Sequence, residues 1–226
     1  TSAMYNCGNA YASLGRFDKA ISYYKSVLSY KSTDSLTMHN LGNTYYEKGD
    51  YDNAIKYLDK SISLDPNNWD SFYVRGNAYY SRNNLLKALE DFKSSVILCP
   101  DLAELWYSKA DTERILEKYR DAAVSYRKAI DLDPEDEKIY LDFCNMSLET
   151  RRFDDAEKIA DEFIRKMPRS VTAYYEKSKY YFTISDFEKG LAILKLAFAM
   201  KPEDKFDFEF KKDWTKVIQF LILKTS

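Results

Sequence analysis

A spacing of 34 residues runs through most of this chain and constrains its fold more than any other feature. Small residues recur at that step, without insertion or deletion, at Gly8, Gly42, Gly76, Ala110, Cys144 and Ser178. A second small-residue column comprises Ala20, Ala54, Ala88, Ala122, Ala156 and Gly190, and a proline column comprises Pro66, Pro100, Pro134, Pro168 and Pro202. Internal repetition with a period of about 20 to 50 residues predicts a repeat architecture, in which each unit packs on its neighbours.

Each column has a physical reason. Two helices approach closely only where neither carries a large side chain, so the small residues predict the crossing point of two helices in each repeat. Gly15, Gly49 and Asn83 are predicted to end the first helix, because glycine and asparagine adopt the left-handed conformation at low cost. The prolines are predicted to end the second helix, since proline forces its predecessor out of helical geometry.

These columns resemble the tetratricopeptide repeat, whose pattern joins a small residue and a tyrosine in the first helix to an alanine and a proline in the second. The resemblance covers residues 1 to 204. It implies an all-α fold, an α-solenoid that winds as a right-handed superhelix. The six helix-turn-helix repeats are expected at 1–34, 35–68, 69–102, 103–136, 137–170 and 171–204.

The segment 205–226 breaks this register and predicts a C-terminal capping helix. Its apolar stripe, at spacings of three and four residues, comprises Phe206, Phe210, Trp214, Val217, Ile218 and Leu221. Such a helix covers the exposed face of a terminal repeat. Phe208, Phe220 and Leu223 lie off the stripe, and two interpretations are open: they pack around the edges of the helix, or they face another chain or a further part of the parent protein.

Composition limits the classes of partner. The chain has 34 basic and 36 acidic residues, so no strong field favours nucleic acid, and no apolar run approaches the roughly 18 residues of a membrane span. Cys7, Cys99 and Cys144 are too widely spaced for a disulfide framework or a zinc site. Cys7 and Cys144 fall on packing columns and are predicted to be small buried hydrophobes in a cytoplasmic protein.

Two charged residues interrupt the packing columns of the fourth repeat. Lys109 takes the place that Leu41 has in the second repeat, and Glu113 takes the place of Tyr45. Two outcomes are open: the first helix of this repeat packs weakly, or the two charges pair four residues apart on one helix face.

The resemblance implies that the first helices line a concave groove that binds ligands. Carried over by position, the groove is predicted to contain Tyr5, Asn9, His39, Asn43, Tyr46, Glu47, Asp70, Tyr73, Asn77, Tyr80, Glu104, Tyr107, Asp111 and Arg114, and to continue through Lys138, Leu141, Asn145, Tyr175, Lys179 and Phe182. Asparagine amides can hold the backbone of an extended peptide, and tyrosines supply flat, half-apolar contacts. The alternative for both sets is ordinary packing between helices.

Charge in the middle of this groove favours a basic ligand. Four carboxylates, at Glu47, Asp70, Glu104 and Asp111, face the single guanidinium of Arg114. A concave surface focuses that field, so we expect a peptide or protein segment that carries Lys or Arg.

An acidic chaperone C-terminal tail is not expected to bind. In the co-chaperones that this chain resembles, two lysines, two asparagines and an arginine on three successive repeats clamp a C-terminal carboxylate. The corresponding slots here are Tyr5, Asn9, Asn40, Asp70 and Val74, so only the asparagines match.

Catalysis is not predicted. No motif fixes a cysteine, serine or carboxylate beside the single histidine, His39, and no glycine-rich phosphate loop is present, so we expect neither catalytic residues nor a metal or cofactor. The sequence predicts a non-enzymatic scaffold for protein–protein interaction that binds a peptide in its groove. Two alternatives remain. One is a recruiting or regulatory arm of a larger enzyme, from which this chain is a fragment cut at a repeat boundary, and the other is a module that self-assembles through its C-terminal helix.

Overall fold

The computed structural model describes residues 1–200, which form helices and turns without a strand. The helices are α1 (Ser2–Ser13), α2 (Phe17–Tyr30), α3 (Ser35–Glu47), α4 (Tyr51–Leu64), α5 (Trp69–Ser81), α6 (Leu85–Leu98), α7 (Ala103–Ile115), α8 (Tyr119–Leu132), α9 (Glu137–Glu149), α10 (Phe153–Lys166), α11 (Val171–Thr183) and α12 (Phe187–Ala199). They fall into six pairs at the predicted period, which confirms the all-helical repeat fold. The predicted capping helix, 205–226, lies outside the described residues.

The chain divides into two compact units, one from Thr1 to Ile139 and one that begins at Tyr140. In the first unit α1, α3, α5 and α7 each pack on the helix that follows, and α2, α4 and α6 each pack on the first helix of the next repeat. In the second unit α10 packs on α11, and α11 packs on α12.

Close crossing of the two helices in a repeat is visible at the glycines of the first unit. A methyl group placed on Gly42 would lie 2.6 Å from Leu58 Cγ, and one placed on Gly76 would lie 2.7 Å from the ring of Phe92. In both pairs the large side chain comes sixteen residues after the glycine. The glycine therefore leaves the space that the facing side chain fills.

The fifth repeat fills the same space differently. Its small-column residue is Cys144, and the residue sixteen positions later is Ala160, so a larger side chain on the first helix faces a smaller one on the second. Phe163 restores the lost volume, because its ring is fully buried and stacks on that of Tyr140 at 4.8 Å between centroids. Volume-conserving exchanges of this kind are tolerated by packed cores.

The turn inside every repeat uses a left-handed residue. Gly15, Gly49 and Asn83 have φ values of 68°, 83° and 58°, as predicted. The same position in the later repeats is left-handed at Glu117, Arg151 and Ser185. The backbone N–H groups of this residue and the next return to carbonyls of the first helix, as in Glu117 N to Arg114 O at 3.0 Å and Lys118 N to Glu113 O at 2.8 Å. These bonds satisfy the helix end in all six repeats.

Some first helices carry a partly buried cation at their seventh position, and this cation bonds to neighbouring helices. Arg75 donates from Nε and Nη2 to Asp91 on α6, at 2.8 and 2.6 Å, and from Nη1 to Asp59 on α4 at 2.6 Å. These hydrogen bonds raise the pKa of the Arg75 guanidinium despite its burial, whereas burial raises the pKa of the Asp91 carboxyl. Arg75 therefore joins three helices, a role that the packing pattern did not predict.

The two charged residues of the fourth repeat, Lys109 and Glu113, form an ion pair and do not leave its first helix loosely packed. Lys109 Nζ donates to Glu113 Oε1 and to Ser125 Oγ, each at 2.7 Å, and Ser125 Oγ donates to Glu113 Oε2 at 2.7 Å. The three groups form a closed ring in which Glu113 and Ser125 are almost fully buried. This satisfies the polar groups that replace an apolar contact.

The cysteines are free, and one prediction about them is wrong. Cys144 is buried as expected and Cys99 is half-buried, but Cys7 is exposed. The seventh position faces the second helix of the preceding repeat, as the Arg75 contact with Asp59 shows. Cys7 lies on the first helix that the structure describes, and none of the described helices covers its side chain.

Overpacking a helix crossing should destabilise the protein. We expect Ala88→Leu and Gly42→Leu each to lower the free energy of unfolding by about 1–3 kcal/mol or more, because Ala88 is fully buried and Gly42 already faces Leu58 without spare room. Urea denaturation measures the effect. The matched control is Ala10→Leu on the exposed face of α1. Equal denaturation midpoints for Ala88→Leu, Gly42→Leu and this control would show that the two helices of a repeat do not pack closely at these residues.

Glycine in the turn of the fourth repeat should stabilise the protein. A side chain in the left-handed region costs about 1–2 kcal/mol, and glycine returns part of that through its more flexible unfolded state. We therefore expect Glu117→Gly to raise the free energy of unfolding by about 0.5–1 kcal/mol. Glu117→Ala keeps the strain and serves as the control, and a glycine variant no more stable than the alanine variant would contradict the prediction.

Candidate ligand-binding surface

The inner surface, defined here by the predicted groove residues on α1, α3, α5 and α7 together with Lys138, is built from pairs that straddle repeat boundaries. His39 Nε2 lies 3.1 Å from Asp70 Oδ2, and Tyr73 donates to Glu104 Oε1 at 2.6 Å. Each pair is separated by 31 residues, one repeat less about one helical turn. In these pairs a side chain reaches the residue one turn before its own equivalent on the next first helix.

Asn9 and Tyr5, two predicted ligand contacts, are engaged within the protein. Asn9 Oδ1 accepts from Tyr24 at 2.7 Å and from Asn40 Nδ2 at 3.2 Å. The same Asn40 amide donates to the Tyr5 hydroxyl at 2.7 Å. The two bonds fill both lone pairs of the Asn9 carbonyl oxygen, so this side chain can offer a ligand only its N–H groups.

The structure places a buried polar chain around the single histidine. Ser71 Oγ lies 2.9 Å from His39 Nδ1 and 3.1 Å from Ser61 Oγ, and Ser61 donates to the carbonyl oxygen of Ser35 at 2.9 Å. With Asp70 on the other ring nitrogen, the chain links α3, α4 and α5. No sequence motif brings a serine or carboxylate to this histidine, so the sequence alone did not predict these neighbours. A step of 31 or 32 residues would have found both.

This serine, histidine and aspartate set has the composition of a catalytic triad but not its accessibility. Ser71 has no exposed surface and His39 has only 6%. A nucleophile has to reach its substrate, and Ser71 Oγ is instead occupied by two buried partners. The chain positions Asp70, whose side chain is 43% exposed, at the inner surface.

Tyr73 and Glu104 form the next polar pair along the surface. Burial and the bond to Glu104 together raise the pKa of Tyr73 to about 12, so the phenol stays a donor at all ordinary pH values. Asn77 is half-buried on the same helix as Tyr73. Glu104 is itself exposed, which leaves Oε2 of a firmly held carboxylate facing solvent.

Asp111 and Arg114 neutralise each other. Arg114 donates to Asp111 Oδ1 from Nη2 at 2.5 Å and from Nε at 3.1 Å, while Tyr80 donates to Asp111 Oδ2 at 2.6 Å. These bonds raise the pKa of the Arg114 guanidinium despite its burial, and the two opposite charges balance each other. The acidic character of the inner surface therefore depends on Glu47, Asp70 and Glu104.

Four further predicted residues lie along the same helices. Glu47 is exposed at the end of α3, while Asn43, Tyr46 and Tyr107 are half-buried. The Tyr46 ring lies 5.8 Å from that of Tyr51, and burial raises the pKa of its phenol. The Tyr107 ring lies beneath the ammonium group of Lys138, with 4.6 Å between Nζ and the ring centroid.

In the second unit, the predicted continuation of the groove forms its own polar cluster. Lys179 Nζ donates to Asn145 Oδ1 at 2.5 Å and to both carboxylate oxygens of Glu176, at 3.1 and 3.0 Å. Burial raises the pKa of Glu176, and the negative charge of Asp142 acts in the same direction. The ammonium of Lys179 also lies 5.7 Å from the Tyr175 ring centroid.

Within residues 1–200, the histidine, cysteine and acidic side chains do not gather into a group that could hold a metal ion. No helix of this part of the chain is both long enough and apolar enough to cross a membrane.

Paired helices of constant length, close crossings at small residues and a ladder of contacts between first helices define a helical-repeat protein of the interaction-module class. Tetratricopeptide repeat models match residues 1–34 and 36–68, residues 57–90, and residues 115–179. The chain belongs to the tetratricopeptide repeat family, whose members are typically non-catalytic interaction modules.

Solved structures show the same fold. MamA from Desulfovibrio magneticus RS-1 is 24% identical, with 74% of this chain and 93% of that chain covered and a TM-score of 0.66. YrrB, described as a TPR protein with an unusual peptide-binding site, is 20% identical over 84% and 97% of the two chains, with a TM-score of 0.67. PilF of Pseudomonas aeruginosa is 13% identical over 95% and 96%, with a TM-score of 0.69. No curated protein matches this chain in sequence.

Removing the Ser71 hydroxyl should destabilise the first unit. In Ser71→Ala, His39 Nδ1 and Ser61 Oγ each lose a buried partner, and an unsatisfied buried polar group costs about 1–3 kcal/mol. We expect a loss of that size in the free energy of unfolding, measured by urea denaturation. Ser63→Ala on the exposed side of α4 is the matched control, and equal stability of the two variants would show that the chain contributes nothing.

Proposed function

We propose that this protein is a non-enzymatic scaffold that binds an extended protein or peptide segment across its inner surface, with preference for a basic segment. Family membership supports the class of function. The observation that carries the preference is the pair of carboxylates at Asp70 and Glu104, held in place by His39 and Tyr73 while their side chains remain open to solvent.

Fixed carboxylates suit a basic ligand for an energetic reason. A flexible surface carboxylate loses side-chain entropy when it pairs, and such pairs contribute little. Asp70 and Glu104 are already oriented by hydrogen-bonding or ion-pairing partners, so less entropy remains to be lost on binding. The half-buried ring of Tyr46 offers a flat surface for the aliphatic stem and cationic head of a Lys or Arg side chain.

The same residues disfavour an acidic tail. Asp70 occupies a slot in which a clamp for a C-terminal carboxylate carries a cation, and its carboxylate faces the inner surface. Tyr5 and Val74, in the other two cation slots, carry no charge. An acidic C-terminal peptide should therefore be repelled rather than clamped.

Peptide arrays of basic, neutral and acidic segments test this proposal. We expect wild-type protein to enrich basic peptides, and Asp70→Lys with Glu104→Lys to weaken their binding about tenfold or more, because two attractive contacts become repulsive. Fluorescence anisotropy measures the change.

Glu90→Lys with Asp131→Lys is the matched control, since it makes the same change in net charge at exposed positions on the second helices. Enrichment of acidic peptides on wild type, or equal effects of the two double variants, would show that the inner surface does not select by charge.

A further inference from the structure

The second residue of each first helix forms a row along one edge of the inner surface in the first unit. This edge row comprises Leu36 on α3, Asp70 on α5, Glu104 on α7 and Lys138 on α9, each one repeat after the last. All four side chains are available to a ligand: Leu36 is 51% exposed, Asp70 is 43% exposed, and Glu104 and Lys138 are exposed. The row therefore changes from apolar to acidic to basic along the repeats.

Each charged member of the edge row is held by an aromatic ring of the preceding repeat. Asp70 lies against His39 at 3.1 Å, Glu104 accepts from Tyr73 at 2.6 Å, and Lys138 lies over the ring of Tyr107 at 4.6 Å. All three pairs are 31 residues apart, so they are the same contact repeated with different chemistry. The ring fixes the position of a charge whose sign differs from repeat to repeat.

Helix stability alone does not account for the change of sign. The first turn of a helix carries a partial positive charge, which favours Asp70 and Glu104 and disfavours a cation by roughly 0.3–1 kcal/mol. Lys138 occupies that turn of α9 nevertheless, and its ammonium lies on an aromatic ring instead of on a neighbouring carboxylate. A feature that costs helix stability while remaining exposed is typical of a position that serves recognition.

We infer that the ligand is an extended segment whose own charge changes sign in register with this row: an apolar residue opposite Leu36, basic residues opposite Asp70 and Glu104, and an acidic residue opposite Lys138. The inference rests on the proposed function and adds the order of the ligand's side chains. Adjacent packed helices are about 10 Å apart and an extended chain advances about 3.3 Å per residue, so successive contacts fall about three residues apart.

Two peptides of identical composition test the order. The ordered peptide carries Leu, Lys, Lys and Glu at every third position with serine and alanine between them, and the permuted peptide interchanges the Glu with the neighbouring Lys. Net charge and composition are equal, so a groove that responds only to overall charge binds both alike. Fluorescence anisotropy with the full chain measures each affinity, and circular dichroism checks that every variant is folded.

We expect the ordered peptide to bind about tenfold more tightly than the permuted one, since permutation creates two like-charge contacts. Lys138→Glu should abolish this preference and should favour a third peptide in which the terminal Glu is replaced by Lys. Lys128→Glu, at an exposed position on α8, makes the same charge change away from the row and should leave the preference intact.

Equal affinity for the ordered and permuted peptides would overturn the order of side chains. If Asp70→Lys with Glu104→Lys still weakened both peptides in that case, the proposed function would stand while this inference fell. If neither peptide bound and the charge reversals had no effect, both would be wrong.

Discussion

Close contact between the two helices of a repeat is the constraint on which the rest of this structure depends. Gly42 and Gly76 leave no room for even a methyl group beside Leu58 and Phe92. The crossing fixes the distance and the offset of the helices in a repeat, and stacking passes that geometry to the next repeat. This stacking brings a side chain such as Tyr73 to a residue 31 positions later.

Much of the fold could be predicted because a period records which residues share an environment. The helix pairs, the left-handed turns and the second-helix ends before proline all follow from residues 34 apart. The ladder across the inner surface could not, because its step of 31 depends on the offset between helices, which the period does not contain. The exposure of Cys7 was not predicted for a related reason: periodicity treats all repeats alike, whereas none of the described helices covers this position of the first repeat.

The ion pairs between the helices of the repeats could be predicted only in part. The ion pair between Lys109 and Glu113 could be predicted from their spacing on one helix. The partners of Arg75 could not, because Asp59 and Asp91 lie on two other helices, sixteen residues before and after it in the sequence. Removing one partner of a buried pair typically costs about 3–5 kcal/mol, whereas replacing a whole pair by apolar residues is often neutral. These groups therefore constrain which helices can be neighbours more than they add to stability.

Pairs that straddle repeat boundaries have a consequence for how such a surface changes during evolution. Gene duplication or exchange of one whole repeat transfers an aromatic residue without the charge that it holds, and a charge without its ring. Inserting a copy of the second repeat after the third, for example, would place the equivalent of His39, and not Tyr73, beside Glu104. The heritable unit of the inner surface is thus the junction between two repeats, and new specificities should arise by coordinated point substitution at junctions more readily than by shuffling of repeats.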